Sequence, residues 1–199
     1  MFIGWMGPNG LKTHYLLRAE IDTRAGALAL TGNEEANLLF IQKVKRETKH
    51  LHLFMALQDQ YERVTPDMVH KTGSQILFGG PRDVNFWSIC IRKGLVKPER
   101  WRVLETSIHK EKEKEDIIHK DPFLKDNSGL PLSVRHNGRQ FPVGDSTRFC
   151  AGDEVAYIIL IEHAEKVHKY LRAMGWQQIT SDGNKAFTVS QCPLPSGMG

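Results

Sequence analysis

Short apolar runs alternate with amphipathic stretches along the first half of the chain. The runs at 27–31, 51–57 and 75–78 each stop at a glycine or a polar residue, which is typical of strands buried in a sheet. Each run is followed by a segment with helical periodicity or a helix start signal. The resulting order, β-α-β-α-β-α, predicts a parallel sheet covered by helices.

Three segments between and after these strands are predicted as helices. Glu34 opens the first, whose apolar positions follow one helical stripe: Ala36, Leu38, Leu39, Ile41 and Val44. Thr65 before Pro66 predicts the start of a second, shorter helix that ends at Gly73. The third helix ends near Gly94, and its inward face is predicted from Val84, Phe86, Trp87, Ile89 and Ile91.

The segment at 97–116 is expected to join two units. It combines a strand predicted at 101–108 with the charge run KEKEKED, and alternating charges of this kind are typical of a solvated linker. Beyond it, Asn137 and Gly138 lie between two apolar runs and predict a β-hairpin, because both turn positions need positive φ. A domain boundary is therefore expected within this joint.

The rest of the second unit is predicted from one strand and one helix. The run at 155–161 is rich in β-branched residues and predicts a strand. The segment 164–174 has its apolar residues on one face and is followed by glycine, which predicts an amphipathic helix. The polar tail from 181 is expected to be mobile.

Composition places the chain among ordinary globular proteins. Its 199 residues suffice for one large or two small domains, and a net charge of +4 with 25% charged residues argues against disorder. The pI near 9.0 suggests nucleic-acid binding, but acidic residues are interleaved with the basic ones, so no nucleic-acid partner is expected. The longest apolar run, 155–161, is far shorter than the roughly 18 residues of a membrane helix, so a cytoplasmic protein is expected.

The cysteines and histidines give no familiar ligand spacing. The three cysteines are far apart, which predicts free thiols rather than a disulfide framework or a zinc cluster: Cys90, Cys150 and Cys192. Among the nine histidines, His163 and His168 fall on different helix faces, and His50 with His52 could supply two ligands at most. No metal site is predicted.

No set of residues calls for an enzyme. Asp145 and Asp153 each follow a glycine and are expected to hydrogen-bond local backbone in turns rather than act as an acid and base pair. The glycine-rich phosphate loop of dinucleotide-binding folds and its ribose-binding acid do not precede Ala27. No catalytic residue is therefore predicted.

Two segments resemble one known family, in the family's own order. Residues 16–94, with LTGNEEANLLF at 30–40, resemble the second half of the TrkA-N (RCK-N) domain, a Rossmann-like regulatory module of potassium channels and cation transporters. The segment LPLSVRHNGRQFPVGDSTRFCAGDEVAYII at 130–159 resembles its companion, the TrkA-C (RCK-C) domain.

Other motifs are more similar to the version fused to NhaP-type monovalent cation:proton antiporters. These are FGGPRDVNFWSICIRKG followed by ERWRV, and FIGWMGPNG at the start, which resembles GWMGPRG of the antiporter membrane domain with Asn9 in place of arginine. The family continues after this motif with an apolar membrane helix, whereas here Leu11, Lys12, Thr13 and His14 follow. The last membrane helices and the first three strands of the Rossmann sheet are thus expected to be missing.

The resemblance implies an α/β fold made of a partial Rossmann-like sheet and a small α+β domain. It divides the chain into a leader, a partial TrkA-N domain, the joint, a TrkA-C domain and a tail, at 1–15, 16–96, 97–116, 117–179 and 180–199. Strand 27–31 would become a bare apolar edge. We expect it to be covered by the N-terminal segment or by a second copy, or to remain poorly covered.

The leading functional hypothesis is a regulatory, ligand-sensing cytosolic module associated with monovalent cation (Na⁺ or K⁺):proton antiport, without transport activity of its own. The family couples nucleotide or small-ligand binding to an attached membrane domain at the inner face of the membrane, usually as dimers. A homodimer, an antiporter partner and a nucleotide or dinucleotide ligand are therefore implied. The missing glycine-rich loop weakens the dinucleotide expectation.

The candidate ligand-binding residues follow the first strand: Thr31, Gly32, Asn33, Glu34 and Glu35. They lie at the carboxyl end of a parallel strand, where ligands of open α/β sheets dock, but they could equally serve only as a strand stop and helix cap. An anionic ligand or dimer groove could also involve the hairpin arginines, which could instead be merely exposed: Arg135, Arg139 and Arg148. An NAD-dependent oxidoreductase remnant and a stand-alone interaction module remain as alternatives.

Overall fold

A computed structural model describes residues 2–4, 20–48, 51–60, 63–104 and 127–179. The first half forms a parallel sheet whose strands are β1 (Phe2–Gly4), β2 (Gly26–Ala29), β3 (His52–Met55) and β4 (Gln75–Ile76), adjacent in that order. Helix α1 (Glu34–Glu47) connects β2 to β3, α2 (Pro66–Lys71) connects β3 to β4, and α3 (Val84–Arg92) follows β4. The predicted order of strands and helices is confirmed.

The second half forms an antiparallel sheet. Its strands are β5 (Val96–Val103), β6 (Gly129–His136), β7 (Arg139–Pro142), β8 (Glu154–Leu160) and β9 (Trp176–Gln178), arranged as β7-β6-β8-β5-β9, with helix α4 (Ala164–Ala173) between β8 and β9. Asn137 and Gly138 have φ of 47° and 78°, so the hairpin joining β6 to β7 is confirmed. The predicted fold class, a parallel α/β unit followed by a small α+β unit, is likewise confirmed.

The N-terminal segment covers the edge of the parallel sheet. Strand β1 pairs in parallel with β2, with Phe2 opposite Gly26 and Gly4 opposite Leu28. The expectation that the N-terminal segment covers this edge is therefore confirmed. Most of the leader, the KEKEKED run and the tail lie outside the described residues.

The two faces of the parallel sheet bury different partners, because successive side chains of a strand point to opposite sides. On one face, Ala27 and Met55 pack with apolar residues of α1 and α2 such as Ile41 and Val69. On the other, the core joins the two units; it contains Phe54, Ala56, Leu77, Phe78, Trp87 and Cys90 together with Leu130 and Leu160 of the second sheet.

The inward faces of two helices differ from the prediction. In α1 the stripe is wrong at Leu39, which is 53% exposed, while Phe40 is buried. In α3 it is wrong at Ile89 and Ile91, which are both exposed. Trp87 and Cys90 of α3 are buried; Ile89 points to the opposite side of the helix, and Ile91, one turn after Trp87, lies in the last turn, where it is exposed.

The joint contributes a strand to the second sheet. We predicted a strand at 101–108 within a joint between domains, but β5 runs over Val96–Val103 and lies between β8 and β9. Its alternating pattern explains the difference, since Trp101 and Val103 are buried in the core of the second sheet while neighbouring positions are exposed. Among the described residues, no helix combines the length and apolar character that crossing a bilayer requires.

Candidate functional site

The loop between β2 and α1 carries the five predicted ligand-binding residues. Asn33 is the N-cap of α1, and its Oδ1 accepts a hydrogen bond from the Ala36 N–H at 2.9 Å. Thr31 Oγ1 accepts from the Asn33 N–H at 3.2 Å and lies 3.1 Å from the Asn33 carbonyl oxygen. The helix-cap role considered for this segment is therefore present, with the hydroxyl and the cap on the sheet's carboxyl edge.

Asn37, one turn into α1, ties two strand ends together. Its Oδ1 accepts from the backbone N–H and the hydroxyl of Thr31, at 3.1 and 2.7 Å. Its Nδ2 donates to the carbonyls of Thr31 and Ala56, at 3.0 and 3.2 Å, and Ala56 follows β3 directly. Because Asn37 is only 1% exposed, this buried amide fixes the geometry of the loop.

Gln58 and Asn85 join the loops that follow the three strands β2, β3 and β4. Gln58 Nε2 donates to the Gly32 carbonyl, and Gln58 Oε1 accepts from the Val84 N–H, both at 3.3 Å. The Asn85 amide packs so closely over Gly32 that a Cβ there would lie 2.6 Å from Asn85 Oδ1. We call Thr31, Glu34, Asn37, Gln58 and Asn85 the carboxyl-edge shelf.

The two glutamates of the first turn of α1 are in different situations. Glu35 forms an exposed ion pair with Arg63 at 3.1 Å. Glu34 Oε1 accepts from the Val64 N–H at 3.4 Å, whereas its Oε2 is buried and has no hydrogen-bond partner among the described residues. Both acids occupy the helix N-terminus, where a phosphate would otherwise bind, so the shelf favours hydroxyl and amide donors over anions.

The structure places three further residues, which were not predicted from the sequence, beside the predicted segment Thr31 to Glu35. The missed residues are Asn37, Gln58 and Asn85. Only Asn37 gave a signal, since it is a polar residue inside the apolar stripe of α1. Gln58 and Asn85 belong to other loops, and only the sheet places them here.

The hairpin arginines lie at the surface of the second unit. Arg135, Arg139 and Arg148 are all exposed, and Arg135 Nη1 lies 3.9 Å from Glu154, which also pairs with Arg102 at 2.7 Å. The exposed hairpin arginines, one of the two alternatives, are therefore present.

The two glycine-preceded aspartates differ from each other. Asp153 bonds the local Cys150 N–H, as expected of a turn residue. Asp145 does not act locally: its carboxylate accepts from the Ile76 N–H at 3.0 Å and contacts His70 Nε2 at 2.6 Å, both in the parallel unit. The expectation was wrong for Asp145 because the β4 end lies against this loop, where Leu77 forms a bridge with Gly144.

Three potential metal ligands also meet in the second sheet, where we had recognised no ligand set. They are His136 at the end of β6, and Cys150 and Asp153 in the loop between β7 and β8, each with one ligand atom within 4.8 Å of the others. Their separations along the chain match no short motif, so only the folded sheet reveals them.

Comparison with known proteins gives distant structural similarity only. No family model and no curated protein matches the chain. The crystal structure of the GsuK RCK domain aligns with 86% of this chain and the GsuK channel bound to NAD with 87%, each at a TM-score of 0.33 and 10% identity. The chain spans 40% and 34% of the length of those two proteins. The fold class given above rests on the two sheets themselves.

Proposed function

We propose that the chain is a ligand-sensing regulatory module whose ligand binds the carboxyl-edge shelf through hydroxyl groups, as the ribose of a nucleoside or nucleotide would. The observation that carries the proposal is Glu34 Oε2, a buried carboxylate oxygen without a partner among the described residues. Leaving a buried acceptor unsatisfied costs about 1–3 kcal/mol, and a ligand hydroxyl that displaces the side chains covering Oε2 would recover part of that cost.

The shelf is connected to the second sheet, which gives ligand binding a route to the rest of the chain. Val84, whose N–H donates to the shelf residue Gln58, packs against the apolar core shared by both sheets. Trp87 of the same helix belongs to that core, together with Leu130 and Leu160. A ligand that moves the Gln58 loop would therefore also shift α3 and change its packing in the core between the two sheets.

We further propose that this module regulates a monovalent cation:proton antiporter and acts as a cytosolic homodimer. The support is the sequence resemblance: segments 2–10, 78–94 and 99–103 are similar to the antiporter-fused version, and segment 130–159 resembles the TrkA-C domain. Sedimentation velocity over a range of concentrations tests the dimer, which should appear as a single species of twice the chain mass. A monomer at every concentration would remove the dimer from the proposal.

Isothermal titration of the full chain with adenosine, AMP and NAD⁺ tests the ligand. We expect adenosine and AMP to bind with similar affinity, because the two glutamates of the first turn of α1 offset the attraction of the helix N-terminus for a phosphate, while the ribose hydroxyls bind Glu34. Glu34→Gln should weaken adenosine binding by about tenfold or more, as expected for losing a hydrogen bond to a charged group.

Glu35→Gln is the matched control, since Glu35 belongs to the same helical turn but pairs with Arg63 at the surface. It should change adenosine affinity by less than about twofold. No binding of any of the three compounds, or equal weakening by both variants, would refute the proposed site. The proposal assigns no catalysis to the chain, so NADH absorbance should remain constant when the protein is mixed with NADH and candidate 2-oxo acids.

A further inference from the structure

The loop before β8 brings an imidazole, a thiol and a carboxylate within reach of one another. One ligand atom from each of His136, Cys150 and Asp153 lies within 4.8 Å of the other two. We propose that these three residues bind a single Zn²⁺ ion. Imidazole nitrogen, thiolate sulfur and carboxylate oxygen are the donors that proteins offer to Zn²⁺, while the sulfur disfavours Mg²⁺ and Ca²⁺.

Asp153 is held in place before any ion arrives. It is 3% exposed, and its Oδ2 accepts from the Cys150 N–H at 2.8 Å, which leaves Oδ1 directed at His136. Two backbone hydrogen bonds fasten the loop to β5: Gly152 N–H donates to the Val103 carbonyl and Val103 N–H donates to the Asp153 carbonyl, both at 2.9 Å. The carboxylate is therefore a preorganised ligand.

His136 already directs one ring nitrogen at this carboxylate. Its Nδ1 lies 2.6 Å from Asp153 Oδ1, so the Nδ1 proton is donated to the carboxylate in a hydrogen bond when no ion is bound. A zinc ion would replace that proton. Ligand atoms around tetrahedral zinc are about 3.4 Å apart, so the imidazole must withdraw by about 1 Å. With 47% of its side chain exposed, His136 has room to do so.

The other ring nitrogen faces an amide that can orient it. Asn137 Nδ2 lies 3.0 Å from His136 Nε2, and turning this amide over presents its oxygen to the Nε2 proton. A metal-bound histidine ordinarily donates its second N–H in this way. The arrangement also disfavours a cysteine protease-like triad, in which the thiol would have to meet Nε2 while the carboxylate holds Nδ1.

Charge and access fit a divalent cation. The Cys150 thiolate and the Asp153 carboxylate together would neutralise Zn²⁺, and His136 and Cys150 are both exposed, so an ion can enter from solvent. A water molecule would complete four-coordination. This site is separate from the carboxyl-edge shelf and does not depend on the proposed function.

Titration of the reduced full chain with Co²⁺ tests the site directly. We expect one equivalent to produce a thiolate-to-cobalt charge-transfer band in the near ultraviolet and tetrahedral d–d bands in the visible, and Zn²⁺ to abolish both by displacement. Cys150→Ser should remove the charge-transfer band, and His136→Ala should weaken cobalt binding by at least about tenfold. Neither side chain is buried, so both variants should fold.

Matched controls separate this site from other thiols and aspartates. Cys192→Ser and Asp145→Asn should leave the band and the affinity within about twofold of the parent protein. Asp153→Asn, which keeps an acceptor for the Cys150 N–H but loses the anionic ligand, should weaken binding at least as much as His136→Ala. Absence of the charge-transfer band in the parent protein, or its persistence in Cys150→Ser, would overturn the proposal.

Discussion

The Gly144–Asp145 and Gly152–Asp153 turns share a sequence signature and do different work. Each carboxylate accepts one backbone N–H and contacts one imidazole. For Asp153 these partners belong to its own sheet, whereas for Asp145 both belong to the parallel unit. A glycine-aspartate pair in a turn therefore indicates a carboxylate that accepts hydrogen bonds. Whether the donors are local or belong to the other unit depends on the surrounding fold.

The glycines of the two turns are needed for different reasons as well. Gly152 has φ of +85°, and a Cβ added there would meet open space. A Cβ added at Gly144 would overlap Gln75 Oε1 and lie 2.9 Å from Gln75 Cβ. One turn therefore needs glycine for its backbone conformation, and the other needs it for close approach to β4.

The largest expected effect is that of Asp145→Ala. The variant leaves the half-buried Ile76 N–H without its acceptor and removes the contact to His70, so we expect a loss of about 2–3 kcal/mol in the free energy of unfolding. Urea unfolding followed by tryptophan fluorescence measures it. Because Asp145 links the two sheets, the m value should also fall as the units lose cooperativity.

Asp153→Ala is the comparison variant for Asp145→Ala. It should destabilise the second sheet while leaving the m value close to that of the parent protein, since its partners are all in one unit. Equal m values for all three proteins would show that Asp145 does not couple the sheets.

Gly144→Ala should have the next largest effect, about 2 kcal/mol. Gln75 Oε1 is the flexible end of a side chain and can turn away, but Gln75 Cβ is fixed to β4, so β4 and the Gly144 loop must separate slightly. The double variant Gly144→Ala, Gln75→Gly removes both clashing atoms. In the Gln75→Gly background, Gly144→Ala should therefore lower the stability measured by thermal unfolding much less than it does in the parent protein.

Gly152→Ala should cost about 1 kcal/mol, because an L-residue with a side chain is strained at this φ. Gly152→Asn should cost less, since asparagine tolerates the left-handed region better than alanine. A larger loss for asparagine than for alanine in thermal unfolding would show that space rather than backbone conformation limits this turn.

The smallest expected effect is that of His70→Ala. The imidazole side chain is 50% exposed, so its ion pair with Asp145 should contribute about 0.5 kcal/mol or less. Urea unfolding at low and at high salt checks this, since any contribution of the pair should shrink as salt screens it. If His70→Ala matched Asp145→Ala, the imidazole rather than the Ile76 N–H would be the main partner of the carboxylate.

Local patterns were enough to predict most of the secondary structure. Asn33, Thr65 and the Asn137–Gly138 turn carry short-range signals whose hydrogen bonds or φ values form within a few residues, and each is confirmed. The wrong assignments concern orientation and partners. Ile89 and Ile91 are apolar, but Ile89 points away from the buried Trp87 and Ile91 lies in the exposed last turn of α3.

The candidate sites were predictable only in part, because contacts between residues far apart in the chain leave no local sequence signal. Thr31 to Glu35 are contiguous, so a strand end and a helix start reveal them together. Gln58 and Asn85 reach the shelf through two further loops, and Cys150 meets His136 only because β6 and β8 pair in the antiparallel sheet. No motif spacing along the chain predicts contacts of this kind.

The two strand orders imply different folding behaviour. In the parallel sheet every strand lies beside its neighbour in sequence, so the sheet can grow in the order in which the chain is synthesised. Strand β5 instead pairs with β8 and β9, which begin at Glu154 and Trp176, long after Val103. Closing so long a loop slows pairing. During synthesis the backbone hydrogen-bonding groups of β5 therefore stay unpaired until the ribosome has made β8. We expect misassembly and chaperone binding to occur mainly at this strand.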